Sequence, residues 1–175
     1  MRRSFLVPVI FLTILLAGAM DCVAQVPPGK RFGIGLSLGE PVAVTVKWRA
    51  TRTTAFDFGI GHSVMGYPRI HGDYLWQFFF LFPQTNYNLN LYAGVGGAMG
   101  FGTKGKYLLF NATADSSSWF YTKTVSAALR GVVGLNYFLP RPGLEFFAEL
   151  NPLIGVLPKA ALDFEGAIGA RFYLF

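Results

Sequence analysis

Two interleaved sets of residues keep step from Arg31 to Phe175, and this leaves the chain few ways to fold. Phe32, Ile34, Leu36 and Leu38 alternate with Arg31, Gly33, Gly35 and Ser37, the period of two expected of a pleated strand with unlike faces. One set is bulky and apolar, while the other holds Gly, Ser, Thr and scattered charges. The alternation starts at 31–38 and recurs over 42–49, 54–64, 73–82, 88–101, 122–139, 144–156 and 161–175. That makes eight strands, most of them near the roughly 9 to 11 residues that a tilted membrane-crossing strand needs.

The size of the apolar set decides which face points inward. An eight-stranded barrel has an interior only just wide enough for side chains, and a full set of Phe, Trp, Leu and Ile side chains would not fit there. A soluble barrel built that way would also present Gly, Ala, Ser and Thr to water with few charges, a poor solvation surface. With the faces reversed, small and polar residues fill the lumen and the large ones meet lipid. A composition of 53% hydrophobic, 17% aromatic and only 14% charged residues agrees with the reversed arrangement. Trp48, Tyr74, Tyr137 and Tyr173, near strand ends, suit the aromatic girdles of a membrane barrel.

The N-terminus has the form of an export signal. Arg2 and Arg3 precede a run from Phe5 to Leu16 that is apolar except at Pro8 and Thr13, and small residues follow. The run is too short for a membrane helix, which needs about 20 residues. Cleavage after Ala24 is expected, with Ala19 the alternative, so residues 1–24 read as a signal peptide, 25–30 as a short N-terminal segment and 31–175 as the barrel. Cys22, the only cysteine, would leave with the signal. It lacks the small preceding residue and the upstream Leu of a lipid-attachment site, since Asp21 and Ala19 stand there. The net charge of +6 is spread along the chain, which favours anionic headgroups or polysaccharide over nucleic acid.

Connections differ in length, although those at Gly39 and near Leu157, on the side of the longer ones, are also short. Short ones at 50–53, 83–87 and 140–143 follow the second, fourth and sixth strands, whereas 65–72 and 102–121 are longer. Membrane barrels keep short turns on the periplasmic side and longer loops outside, so the N-terminus is expected in the periplasm. The chain resembles the small eight-stranded outer-membrane proteins of the OmpX and OmpA-membrane-domain class over essentially its whole length after residue 24. Arg171-Phe172-Tyr173-Leu174-Phe175 looks like the terminal signal by which such proteins meet the barrel-assembly machinery. Phe175 and Tyr173 fall on the inward parity, however, so either a bulge resets the strand near its end or Phe175 sits beyond the pleat. The resemblance implies an all-β, antiparallel, up-and-down transmembrane barrel in the bacterial outer membrane, with outer-membrane lipid as its surroundings and no cofactor.

The inward set gathers Lys47, Asp57, Asp73, Arg130, Glu145, Glu149, Asp163, Glu165 and Arg171. A lumen network of ion pairs accounts for them, because an unpaired buried charge is costly; an ion path and paired carboxylates for acid–base chemistry are the functional alternatives. His62 and Ser63 are adjacent and so face opposite ways, and no nucleophile stands beside His71 and Asp73. A lipid-modifying enzyme resembling the lipid A deacylases is therefore the second reading, and a periplasmic lipocalin-like carrier of a small apolar ligand the third. Two histidines and no cysteine after the signal argue against a metal site. Gly33-x-Gly35 and Gly94-x-Gly96-Gly97 lie inside strands without a following helix, so they are not phosphate loops. The segment 102–121, with Lys104, Lys106 and Trp119, is the candidate site for an extracellular ligand.

Overall fold

The computed structural model describes residues 30–78, 89–102, 104–106, 110–111, 119–121, 125–139, 141–158 and 160–174. They form eleven strands: β1 (Phe32–Gly39), β2 (Val42–Arg49), β3 (Thr54–Ser63), β4 (Gly66–Phe78), β5 (Leu89–Phe101), β6 (Lys104–Lys106), β7 (Phe110–Asn111), β8 (Trp119–Tyr121), β9 (Val125–Leu139), β10 (Leu144–Leu157) and β11 (Ala161–Tyr173). Eight of these make the wall. Neighbours in sequence pair antiparallel from β1 to β5, β5 pairs with β9, and β9, β10 and β11 follow in order. β11 then pairs with β1 from Gly33↔Tyr173 to Gly39↔Ala167. That last ladder closes the sheet into a barrel and leaves its strands no free lateral edge along their shared length.

The two faces separate as the alternation requires. Leu150 is 65% exposed and its neighbour Glu149 7%; in β2 the corresponding contrast is Val44 at 45% against Lys47 at 0%. Small residues on the inner parity make room for the large ones. A Cβ on Gly35 would lie 2.0 Å from the Ala170 carbonyl and 2.7 Å from the Arg171 Cα, whereas one on outward Gly97 would meet nothing nearer than 3.7 Å.

Three expectations are corrected or refined. The fourth strand begins at Gly66, not at residue 73, so 65–72 is not a loop and the β3–β4 hairpin turns on Val64 and Met65 alone. Gly66, Pro68 and Gly72 look like turn residues in sequence. Pro68 is tolerated because the β3–β4 register shifts beside it, between Gly61 and Ser63, and strand prolines belong at such irregularities. Tyr173 faces the lumen with 0% exposure and is no girdle residue. The β1–β11 register runs through it unbroken, so no bulge intervenes up to that point. The segments 1–24, 25–29 and 79–88 and residue Phe175 lie outside the described residues.

The long connection is partly a hairpin. Lys104, Gly105 and Lys106 pair with Tyr121, Phe120 and Trp119. Phe110 and Asn111 instead pair with Leu162 and Ala161 of β11. They can do so because the short β1–β2 hairpin ends low: Glu40 N–H donates to the Gly166 carbonyl at 2.8 Å, and β11 continues beyond it. At the same end the Glu40 carboxylate accepts the Val64 N–H at 2.9 Å, which ties the first two hairpins together.

Packing at the closing seam gives a direct test. Gly35→Ala is expected to destabilise the barrel by about 1 to 3 kcal/mol through overpacking, and Gly97→Ala to leave stability within about 0.5 kcal/mol. Urea unfolding in detergent, followed by tryptophan fluorescence, measures both.

Candidate functional site

The polar side chains of the inner parity meet along the barrel axis. Five cations (Lys47, Arg49, Arg69, Arg130 and Arg171) and six carboxylates (Asp57, Asp73, Glu145, Glu149, Asp163 and Glu165) are buried there. Their near-equal number is what a narrow interior demands, since each uncompensated buried charge would carry a desolvation penalty of several kcal/mol.

Near the end that holds both described chain termini, Glu145 accepts from five side chains. Lys47 Nζ donates at 2.8 Å, Arg49 Nη2 at 3.2 Å, Arg171 Nη1 at 3.4 Å, Asn136 Nδ2 at 3.2 Å and the Tyr173 hydroxyl at 2.5 Å. The strands put these partners within reach, because Glu145 stands opposite Arg171 in one ladder and Phe138 in the other. Aromatic rings complete the packing. The Arg49 guanidinium lies 4.8 Å from the Phe138 ring centroid and 4.4 Å from that of Tyr173, and Arg171 lies 3.7 Å from Phe147, distances at which a cation is attracted by the ring face.

From Glu145 the charges alternate up the lumen. Arg171 also pairs with Asp57, reaches Glu149 at 3.7 Å and donates from Nε to Thr45 at 3.0 Å. Glu149 accepts the Tyr92 hydroxyl at 2.7 Å and lies 3.4 Å from Arg130. Arg130 pairs with Asp73 and approaches Glu165 at 3.7 Å, and Glu165 accepts from Arg69 at 2.6 Å. The result is a ladder of alternating sign from Arg49 to Arg69. Asp163 is buried on the same parity and accepts the Phe164 N–H at 2.8 Å.

Arg49 and Arg69 were not among the residues singled out in the sequence. Arg49 simply continues the parity of Lys47 at the strand end, and Arg69 was hidden by the turn-like composition around it. Tyr92 and Tyr173 supply the hydroxyls, and both could have been found by following the inward parity without regard to aromatic character.

No nucleophile–base pair forms among the described residues. Ser126 donates to the carbonyls of Met65 and Gly100, Ser37 to that of Pro41, and Ser63 accepts the Met65 N–H; each serine serves the backbone near a hairpin. His71 faces the lumen beside Gly59, while His62 is exposed with its ring 5.5 Å from that of Tyr67. No cluster of His, Cys, Asp and Glu among the described residues has the arrangement of a metal site. Of the three residues proposed for ligand contact, the backbone register sets Lys106 opposite Trp119 and Lys104 opposite Tyr121.

Among solved structures the chain is similar to the N-terminal β-barrel domain of Pseudomonas aeruginosa OprF, with a TM-score of 0.52 and 15% sequence identity, over 82% of this chain and 96% of that one. The chain has the OmpA/OmpX-like eight-stranded barrel fold. At that identity the likeness establishes the fold alone. No protein-family model and no curated protein matches the sequence.

The ladder predicts unequal costs. Glu145→Gln leaves Lys47, Arg49 and Arg171 facing a neutral amide and is expected to cost about 3 to 5 kcal/mol. Arg130→Met combined with Asp73→Leu should cost less than the two single changes added, with a coupling of about 0.5 to 3 kcal/mol. Equilibrium unfolding of the four proteins of that cycle measures the coupling, and strict additivity would rule out direct pairing.

Proposed function

We propose that the chain is an integral outer-membrane β-barrel protein whose role is structural and surface-binding rather than catalytic. One observation carries this reading: the barrel is inside out relative to a soluble protein. Charged side chains are buried in the lumen, while Leu36, Leu38, Phe58, Ile60, Val95, Leu129, Leu150, Phe164 and Ile168 stand exposed around the wall. Soluble monomers rarely expose contiguous apolar surface beyond a few hundred Å²; a belt encircling the barrel is the requirement of a lipid solvent. The signal-like residues 1–24 and the terminal aromatic pattern ending at Phe175 support export and delivery to the barrel-assembly machinery.

The aromatic distribution supports the same reading. Trp48, Phe56, Tyr74 and Trp76 form an outward row near one end of the wall, with successive centroid distances of 5.8, 5.1 and 4.9 Å. Aromatic side chains concentrate at the level of lipid headgroups. In this reading the end holding both described termini faces the periplasm, and the connection 102–121 lies outside the cell. Lys104, Lys106 and Trp119 are then its candidate contacts for an extracellular ligand with anionic character.

Fractionation tests the membrane assignment. The expressed protein should stay with outer membranes through a carbonate wash and should migrate differently on detergent gels before and after boiling; release by carbonate would end the proposal. Arg placed at Phe58, Val95 or Leu135 is expected to cost about 2 to 4 kcal/mol at mid-membrane, read by folding into lipid vesicles. An epitope within 102–121 should be reached by antibody on intact cells. Access only after permeabilisation would reverse the orientation and remove the ligand site.

A further inference from the structure

The rim that holds both described termini carries a run of positive charge that the lumen ladder does not use. Lys30, Arg31, Arg52 and Arg141 lie on its turns and strand ends; the three arginines are exposed and Lys30 is half-buried. None of the four forms an ion pair with a described carboxylate. Arg49, a few residues away, shows the contrast, because it points inward to Glu145 at 3.2 Å. Residues 79–88, between β4 and β5, include no charged residue in the sequence. At the opposite end a described hairpin turn carries Glu40, β6 carries Lys104 and Lys106, and the β10–β11 connection has Lys159 in its sequence.

Backbone contacts hold the four cations on one continuous arc. Lys30 Nζ donates to the Pro142 carbonyl at 3.0 Å, beside Arg141. Tyr173 N–H donates to Gly143 O at 2.8 Å, Leu174 N–H to Phe32 O at 3.0 Å and Arg49 N–H to Arg31 O at 2.9 Å. The turn that presents Arg52 is braced by Thr51 Oγ1, which accepts the N–H groups of Thr53 and Thr54 at 3.2 and 3.0 Å. Directly along the wall from this arc lie the aromatic row of Trp48, Phe56, Tyr74 and Trp76 and, on the other flank, Phe172 and Phe146, 43% and 46% exposed. Basic groups just beyond an aromatic belt stand at the height where lipid phosphates lie.

We propose that this rim binds the phosphodiester headgroups of anionic phospholipids in the adjoining leaflet. The inference rests on the membrane-spanning reading above. Its chemistry is charge complementarity: cations without a partner among the described carboxylates, on a rigid arc, facing a leaflet whose anionic headgroups each offer acceptor oxygens. The binding sets the depth of the barrel and the lipids that surround it.

The full chain is reconstituted in vesicles of phosphatidylcholine alone and of phosphatidylcholine mixed with phosphatidylglycerol, and the lipids retained on gentle detergent extraction are counted by native mass spectrometry. The wild type should insert into both and retain phosphatidylglycerol in excess of its share. Arg31→Gln, Arg52→Gln and Arg141→Gln together should lower that preference by about ten-fold or more, while the three Lys replacements should keep it. Raising the salt concentration should weaken the preference in the wild type. Insertion into neither vesicle defeats the membrane reading itself. Insertion with the same lipid preference in wild type and Gln variant overturns this inference alone, as does a wild type that in detergent binds an isolated anionic cell-wall polymer but shows no lipid preference.

Discussion

Everything in this barrel follows from the volume of its lumen. Eight strands enclose a space that side chains can fill but that cannot hold two facing layers of large ones, so the inner parity must alternate bulk with absence. Gly35 opposite Arg171 and Gly134 beside Tyr92 are instances: a Cβ at Gly134 would fall 2.5 Å from the Tyr92 ring. Many of the long side chains that remain are charged, and in so confined a space they pair with one another. Geometry thus selects the ion-pair ladder before any function is considered. It also explains why Glu145, with five donors, is more consequential than any single apolar residue of the wall.

Most of this was legible from alternation alone. Period two located the eight strands, and the bulk of one parity decided which face pointed outward. Alternation was less informative where residue type contradicted parity. Gly66, Pro68 and Gly72 carry turn chemistry inside a strand, and misreading them removed Arg69 and His71 from the lumen. Tyr173 and Tyr92 are aromatic yet inward, because each has a carboxylate within reach of its hydroxyl. The pairing of Phe110–Asn111 with Ala161–Leu162 has no sequence signature at all. It depends on the height of a distant hairpin, which only the closed sheet sets.

The two ends of the barrel are built on different principles. At one, short turns are bound to neighbouring strand ends and to the described chain termini by backbone hydrogen bonds, and cations without a partner among the described carboxylates lie on the rim. At the other, Glu40 joins two hairpins and the long connection lends two residues to the exposed margin of β11. The second device protects a stretch of edge that would otherwise invite pairing with a foreign strand, and it fastens a surface loop to the rigid wall.

The position of Arg171 and Tyr173 on β11 has a consequence for synthesis. Both emerge from the ribosome after every other member of the ladder, and until they arrive Glu145 lacks two of its five donors and Asp57 lacks its guanidinium. A chain truncated before β11 therefore lacks a seam and, at the same time, the partners that Arg171 and Tyr173 give Glu145 and Asp57. Pairing the last strand with the first and completing the ring of donors around Glu145 are thus one structural event, because both depend on the same stretch of β11.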